Sequence, residues 1–165
     1  NMSKRRTRVD EWLEKETPHK KKALENASRY FDPKDSLTVN TLEAIYGQES
    51  SFGSNRRTRG IAGAAGDFQL ERETAIRYGL VVSKTNDQRF DIDDASRAAA
   101  MYLKALDNYF REGANLGGGL NIAKILDAAE RLKFTVASYN AGEGRIATDT
   151  WHPCGTTSAS CIRLG

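Results

Sequence analysis

Apolar residues along most of this chain recur at three- and four-residue intervals, and that spacing commits it to helices. Val9, Trp12 and Leu13 mark a short first helix. Thr17 and Pro18 form a cap and first-turn pair, so a second helix is predicted over 17–31, stopped by Asp32 and Pro33. A third helix is predicted over 36–50, with Val39, Leu42, Ile45 and Tyr46 on one stripe. Residues 51–66 read as a loop, or as a loop holding a small β-ribbon. Gly53, Gly60, Gly63 and Gly66 loosen it, and Arg56, Arg57 and Arg59 make it basic. A short helix over 69–78, closed by Gly79, precedes a polar stretch over 83–89.

A long helix should begin within 91–94, where acidic residues favour the positive end of a helix, and end at Gly113. Ala98, Met101, Tyr102, Ala105, Leu106, Tyr109 and Phe110 give its core stripe. Gly117, Gly118 and Gly119 read as a flexible link. Asn121 is expected to cap a last helix carrying Ile122, Ile125, Leu126, Ala129, Leu132, Val136 and Ala137, with Gly142 as its C-terminal cap. No strand pair is predicted outside that small ribbon in 51–66, and the fold class is all-α.

The chain has 165 residues, enough to bury a core without disulfides or metal. It divides into N-terminal helices over 1–35, a main domain over 36–150 and a tail over 151–165. A net charge of +3 is too small to argue for nucleic acid, yet it suits an anionic polymer. The run from His19 to Lys22 reads as a solvated helix face. No stretch approaches the roughly 20 apolar residues of a membrane span. The charged start has no apolar segment behind it, so it does not read as a signal peptide, and Asn1 ahead of Met2 reads as an added residue. Cys154 and Cys161 are either a short bridge or two free thiols. With His152 they would make only an incomplete zinc site, so no metal or cofactor is expected.

One residue breaks the helical pattern. Glu49 stands seven positions after Leu42 and so falls on the same apolar stripe, at the C-terminal end of its helix. Burial and the negative end of the helix dipole both disfavour a charged carboxylate there. Both raise its pKa, as a general acid working near neutrality requires. The competing reading is a Glu that reaches past the helix end into water.

Four blocks in order set Glu49 in a recognisable context. Residues 45–53, Ile-Tyr-Gly-Gln-Glu-Ser-Ser-Phe-Gly, resemble the segment of soluble lytic transglycosylases in which Glu-Ser opens the active site. Residues 63–69, Gly-Ala-Ala-Gly-Asp-Phe-Gln, are similar to the family's Gly-Ala-x-Gly-Leu-Met-Gln, and Thr74-Ala75 match its Thr-Ala. Residues 97–106 resemble its Ala-Gly-x-x-Tyr-Leu helix, and 137–145 its Ala-Tyr-Asn-Ala-Gly-x-Gly. The blocks span 37–146; each is weak alone, and the ordered set is specific.

The resemblance implies that this all-α fold is a lysozyme-like helical domain with a glycan-binding groove. It implies cleavage of the β-1,4 bond between N-acetylmuramic acid and N-acetylglucosamine, leaving a 1,6-anhydro end. Glu49 would act as acid and then as base. Ser50 would bond near the carboxyl or the substrate, or else cap the helix end. Gln69 would hold a sugar amide or hydroxyl. Tyr139 would orient Glu49 or the N-acetyl group, or else be a core aromatic. Asn140 would bind substrate or tie down the turn before Gly142. Phe68 would offer a platform for a sugar face, and Gly63 and Gly66 a close backbone approach to the glycan.

The sequence departs from the family at Asp67 and Phe68, where Leu and Met are usual, and at Leu70-Glu71-Arg72, where the family often has a hydrophobic-Met-Pro run. Asp67 or Glu71 as a second carboxylate would make a hydrolytic muramidase of the goose-type lysozyme kind. Their plainer roles are a helix N-cap and a first-turn charge. A third reading is a non-catalytic glycan-binding module of an envelope or phage machine. The expected partners are peptidoglycan strands, and envelope-machine proteins if it serves such an assembly. The expected location is the periplasm or envelope, and the expected state a monomer.

Overall fold

The computed structural model describes residues 17–50, 63–117 and 120–141, and these are mostly helical. Helices are numbered in chain order: α1 (Pro18–Ala27), α2 (Val39–Ser50), α3 (Arg72–Arg77), α4 (Ile92–Glu112) and α5 (Ala128–Ala141). The only strands among the described residues are β1 (Ala114–Gly117) and β2 (Leu120–Ile122). The predicted first helix, most of the arginine-rich loop, both cysteines and Gly142 lie outside the described residues. No described helix is long and apolar enough to cross a membrane.

The described residues fall into two compact units. One holds those up to Tyr30 together with 38–101; the other holds 31–37 and those from Tyr102 onward. In the first unit, Thr17 caps α1 as expected, its side chain accepting from the Lys20 amide at 3.3 Å. The helix ends at Ala27 and passes into a 3₁₀ turn, Ser28–Tyr30. Ala23, Leu24 and Ala27 are buried, as are Leu42, Ile45 and Tyr46 of α2, against which α1 packs. The N-terminal half of α4 adds Ala95, Ala98, Ala99 and Ala100, all buried, so small side chains let backbones approach closely there. Two corrections apply in this unit. Helix α2 starts at Val39 rather than near Ser36. The short helix starts at Arg72, with Glu71 rather than Asp67 in the N-cap position and no side-chain cap. Its C-terminal Gly79 takes φ +90, as the sequence suggested.

In the second unit, Gly113 at φ +75 turns the chain out of α4; an added Cβ would sit 2.9 Å from the Ile122 carbonyl. Antiparallel strands follow, pairing Ala114 with Ile122 and Asn115 with Asn121. This hairpin corrects three expectations: a strand pair forms where none was predicted, Gly117 of the supposed link belongs to β1, and Asn121 lies in β2 rather than at a helix start. The last helix starts six residues later. Asp127 caps it, its carboxylate accepting from the Glu130 amide at 2.9 Å. Ile122 and Ile125 instead pack with Phe110 and Phe134 in a small cluster. Leu126, expected on the helix stripe, is 88 % exposed.

The buried face of α5 is also not the one predicted: it carries Arg131, Thr135, Ser138 and Tyr139. The reason is a buried charge. Asp107 of α4 is 0 % exposed; it accepts from Arg131 Nε at 2.9 Å and from the Ser36 hydroxyl at 2.6 Å. Arg131 also donates to the Ile125 carbonyl at 3.1 Å. Arg111 lies 3.8 Å from Asp107 and bonds Asp35 at 2.9 Å, while Lys104 reaches Asp32 at 2.6 Å. These contacts fasten the segment 31–37 to α4, and they occupy the Ser36 hydroxyl elsewhere than at a helix start.

Candidate active site

On α2 the residues Leu42, Ile45, Tyr46 and Ser50 are buried, and Glu49 sits among them half-buried in the last turn. No basic residue stands in that turn to lower its pKa. Desolvation raises the Glu49 pKa, because a charge there loses water and gains no charged partner among the described residues. Ser50 is wholly buried and its hydroxyl donates back to the Tyr46 carbonyl one turn earlier, at 2.5 Å.

A tight turn over 65–70 carries the next expected residues. An isolated antiparallel bridge between Ala65 and Leu70 closes it, with both amide-to-carbonyl bonds at 3.2 Å. Two residues in it take positive φ, Gly66 at +77 and Gln69 at +48. Glutamine seldom adopts that region, so the turn must impose it. Gln69 helps to do so: its Nε2 donates to the Gly66 carbonyl at 2.7 Å. The side chain remains half-exposed.

The structure corrects three expectations in this turn. Phe68 is 0 % exposed and therefore offers no face to a sugar. Its ring lies 5.9 Å from that of Tyr46, which ties the turn to the helix that carries Glu49. Gly66 approaches the protein's own backbone rather than an open surface; a Cβ there would lie 1.8 Å from the Arg89 carbonyl oxygen. Asp67 is buried and paired with Lys20 at 3.3 Å, so a second exposed carboxylate is not found at that position. The same Lys20 ammonium stands 5.5 Å from the centre of the Tyr46 ring. Glu71 is exposed on the far side of the bridge, at the start of α3.

Gly66→Ala should cost at least about 2 kcal/mol, combining left-handed strain with a backbone clash. Denaturant unfolding of the variant measures this directly.

Sequence reasoning missed Arg89, which lay in the stretch read as polar. It is 1 % exposed and donates to Asp87 through Nε at 2.9 Å and Nη2 at 2.7 Å. Its Nη1 donates to the Gly63 carbonyl at 2.5 Å and to the Leu70 carbonyl at 3.1 Å. Asp87 is held below the usual carboxylate range, chiefly by the hydrogen bonds from Arg89. Nothing near Arg89 in the sequence marks it, because two of its acceptors are 26 and 19 residues away.

Glu49, Ser50, Phe68 and Gln69 thus belong to one unit, while Tyr139 and Asn140 belong to the other. Tyr139 is buried near the end of α5, its ring 5.3 Å from Tyr102. Asn140 is in the last turn of the same helix. Among the described residues no group of acids, histidines and cysteines is placed to hold a metal ion.

Comparison with known families matches a model described as the transglycosylase SLT domain, over residues 19–152. Comparisons with curated proteins and with solved structures find no match. The matched span takes in Glu49, the 65–70 turn, Arg89 and Tyr139, and the mostly helical architecture agrees with a lysozyme-like domain. With the match covering most of its length, this chain belongs to the SLT transglycosylase family, whose members act on peptidoglycan as lytic transglycosylases.

Proposed function

We propose that this protein cleaves the β-1,4 bond between N-acetylmuramic acid and N-acetylglucosamine and closes a 1,6-anhydro ring, with Glu49 as its one acid and base. The observation that carries the reading is a half-buried carboxyl, raised in pKa by desolvation, on the apolar stripe of α2. The protonated acid is the form that burial favours, and the first step needs that form. Glu49 gives its proton to the leaving glycosidic oxygen while the substrate's N-acetyl oxygen closes on C1. The resulting carboxylate then takes the proton of the C6 hydroxyl. That oxygen attacks C1, displaces the acetamido oxygen and leaves Glu49 protonated again. Two carboxylates are the usual requirement of glycosidases. Here the substrate supplies the second group.

Gln69 is assigned to a sugar hydroxyl or amide, since its half-exposed side chain rides on a rigid turn. Ser50 is assigned to shaping the helix end beside Glu49. Tyr139 and Asn140 are assigned to orienting the N-acetyl group. The place of action is the cell envelope, where peptidoglycan lies, and the periplasm is the compartment proposed.

The rate should fall as pH rises through the Glu49 pKa, because deprotonation removes the proton donor. That limb should lie above the ordinary carboxylate range, as its direction of shift requires. A pH–rate profile on isolated glycan strands checks it. Mass spectrometry of digested sacculi tests the reaction itself. Anhydro-muramic ends are expected, and reducing ends throughout would mark a hydrolytic muramidase instead.

A further inference from the structure

We propose that Arg89 is a positioning residue for glycan recognition, because its buried guanidinium fixes the left-handed turn that presents Gln69. The inference rests on the reading above, in which Gln69 meets the glycan. The turn over 65–70 has little to hold it by itself: one bridge, one side-chain bond from Gln69 and two residues at positive φ. From outside the turn, Phe68 packs on Tyr46 and Asp67 pairs with Lys20, and Arg89 ties the turn's two ends together. Its Nη1 joins the Gly63 carbonyl, ahead of the turn, to the Leu70 carbonyl at its end. Its own carbonyl fills the space where any side chain on Gly66 would stand.

Gly66 is in turn the residue whose carbonyl receives the Gln69 amide, so the chain from Arg89 to Gln69 has no gap. Asp87 completes the arrangement by gripping the guanidinium through both oxygens, which fixes the direction of Nη1. A planar fork of five donors can hold all four acceptor oxygens at once; an ammonium, with three donors, cannot. An arginine used only for stability would need no such link to a strained, half-exposed glutamine.

Steady-state kinetics on isolated glycan strands test this with Arg89→Lys, Gln69→Ala and the double variant. Arg89→Lys should raise KM about tenfold or more while kcat changes far less, because a small misplacement is costly at a contact and Glu49 is untouched. The double variant should match Gln69→Ala alone in KM, since Arg89 acts through that contact. Additive effects on KM, or a loss confined to kcat, would overturn the inference while leaving the reaction assignment in place. A wild-type protein that cleaves no strand overturns the reading and the inference together. Should Arg89→Lys fail to fold, Asp87→Asn frees the guanidinium with little change in volume and enters the same cycle with the same expected result.

Discussion

Glu49→Gln should abolish wall cleavage, with a loss of at least about 10²–10⁴-fold, the usual worth of a positioned acid or base. The upper end is expected, because this side chain serves both proton transfers. The same change should leave the protein folded and slightly more stable at neutral pH. The Glu49 pKa is raised in the folded state. Its contribution to stability is therefore fully present below the unfolded value and is lost as pH rises through the folded one. A glutamine in the same space carries no such penalty. Activity lost and stability gained from one substitution is the signature of a strained functional acid. Retained cleavage, or a collapsed fold, would contradict it.

Arg131→Met should have the largest effect on stability among single changes in the second unit, about 3–5 kcal/mol. It leaves Asp107, 0 % exposed, without its 2.9 Å partner and opens the bond to the Ile125 carbonyl. Replacing Asp107 by Leu as well should recover much of the loss, because the cost comes from stranding a buried charge rather than from losing a favourable pair. Urea unfolding of the single and double variants separates the two. Equal losses in both would show that packing, not charge, holds α4 to α5.

Asp107 also shows where sequence reading stops. Leu103, Asp107 and Phe110 share a helical stripe just as Leu42, Ile45 and Glu49 do, and all three are buried. An acid on an apolar stripe is therefore a legible sign of burial in either helix. What it does there depends on what meets it. Asp107 meets Arg111, one turn further along α4, and also Arg131 of α5, which a helical wheel of α4 does not bring to it. For Glu49, burial raises the pKa with no charged partner among its causes. The difference is one of tertiary pairing, and it separates a structural ion pair from a candidate catalyst.

The helices with strong local signals were legible: α1 through Thr17 and Pro18, and α4 through its acidic start and Gly113. The hairpin after α4 was not, since strands of four and three residues carry too little alternation to stand out. Ile122 and Ile125 are three apart, a helical spacing by chance, and they imitated the start of α5. Phe68 was misjudged for a related reason. A motif places an aromatic in a loop, but only the packing against Tyr46 decides which way it faces.

Digestion of purified sacculi in water enriched in ¹⁸O tests the central claim most directly. If Glu49 passes a proton from the sugar's own C6 hydroxyl to the leaving group, no solvent oxygen enters the product. The released muropeptides then carry anhydro ends at natural isotopic mass. Incorporation of one ¹⁸O at each cleaved muramic acid would show that water is the nucleophile, and the single-acid mechanism would be wrong.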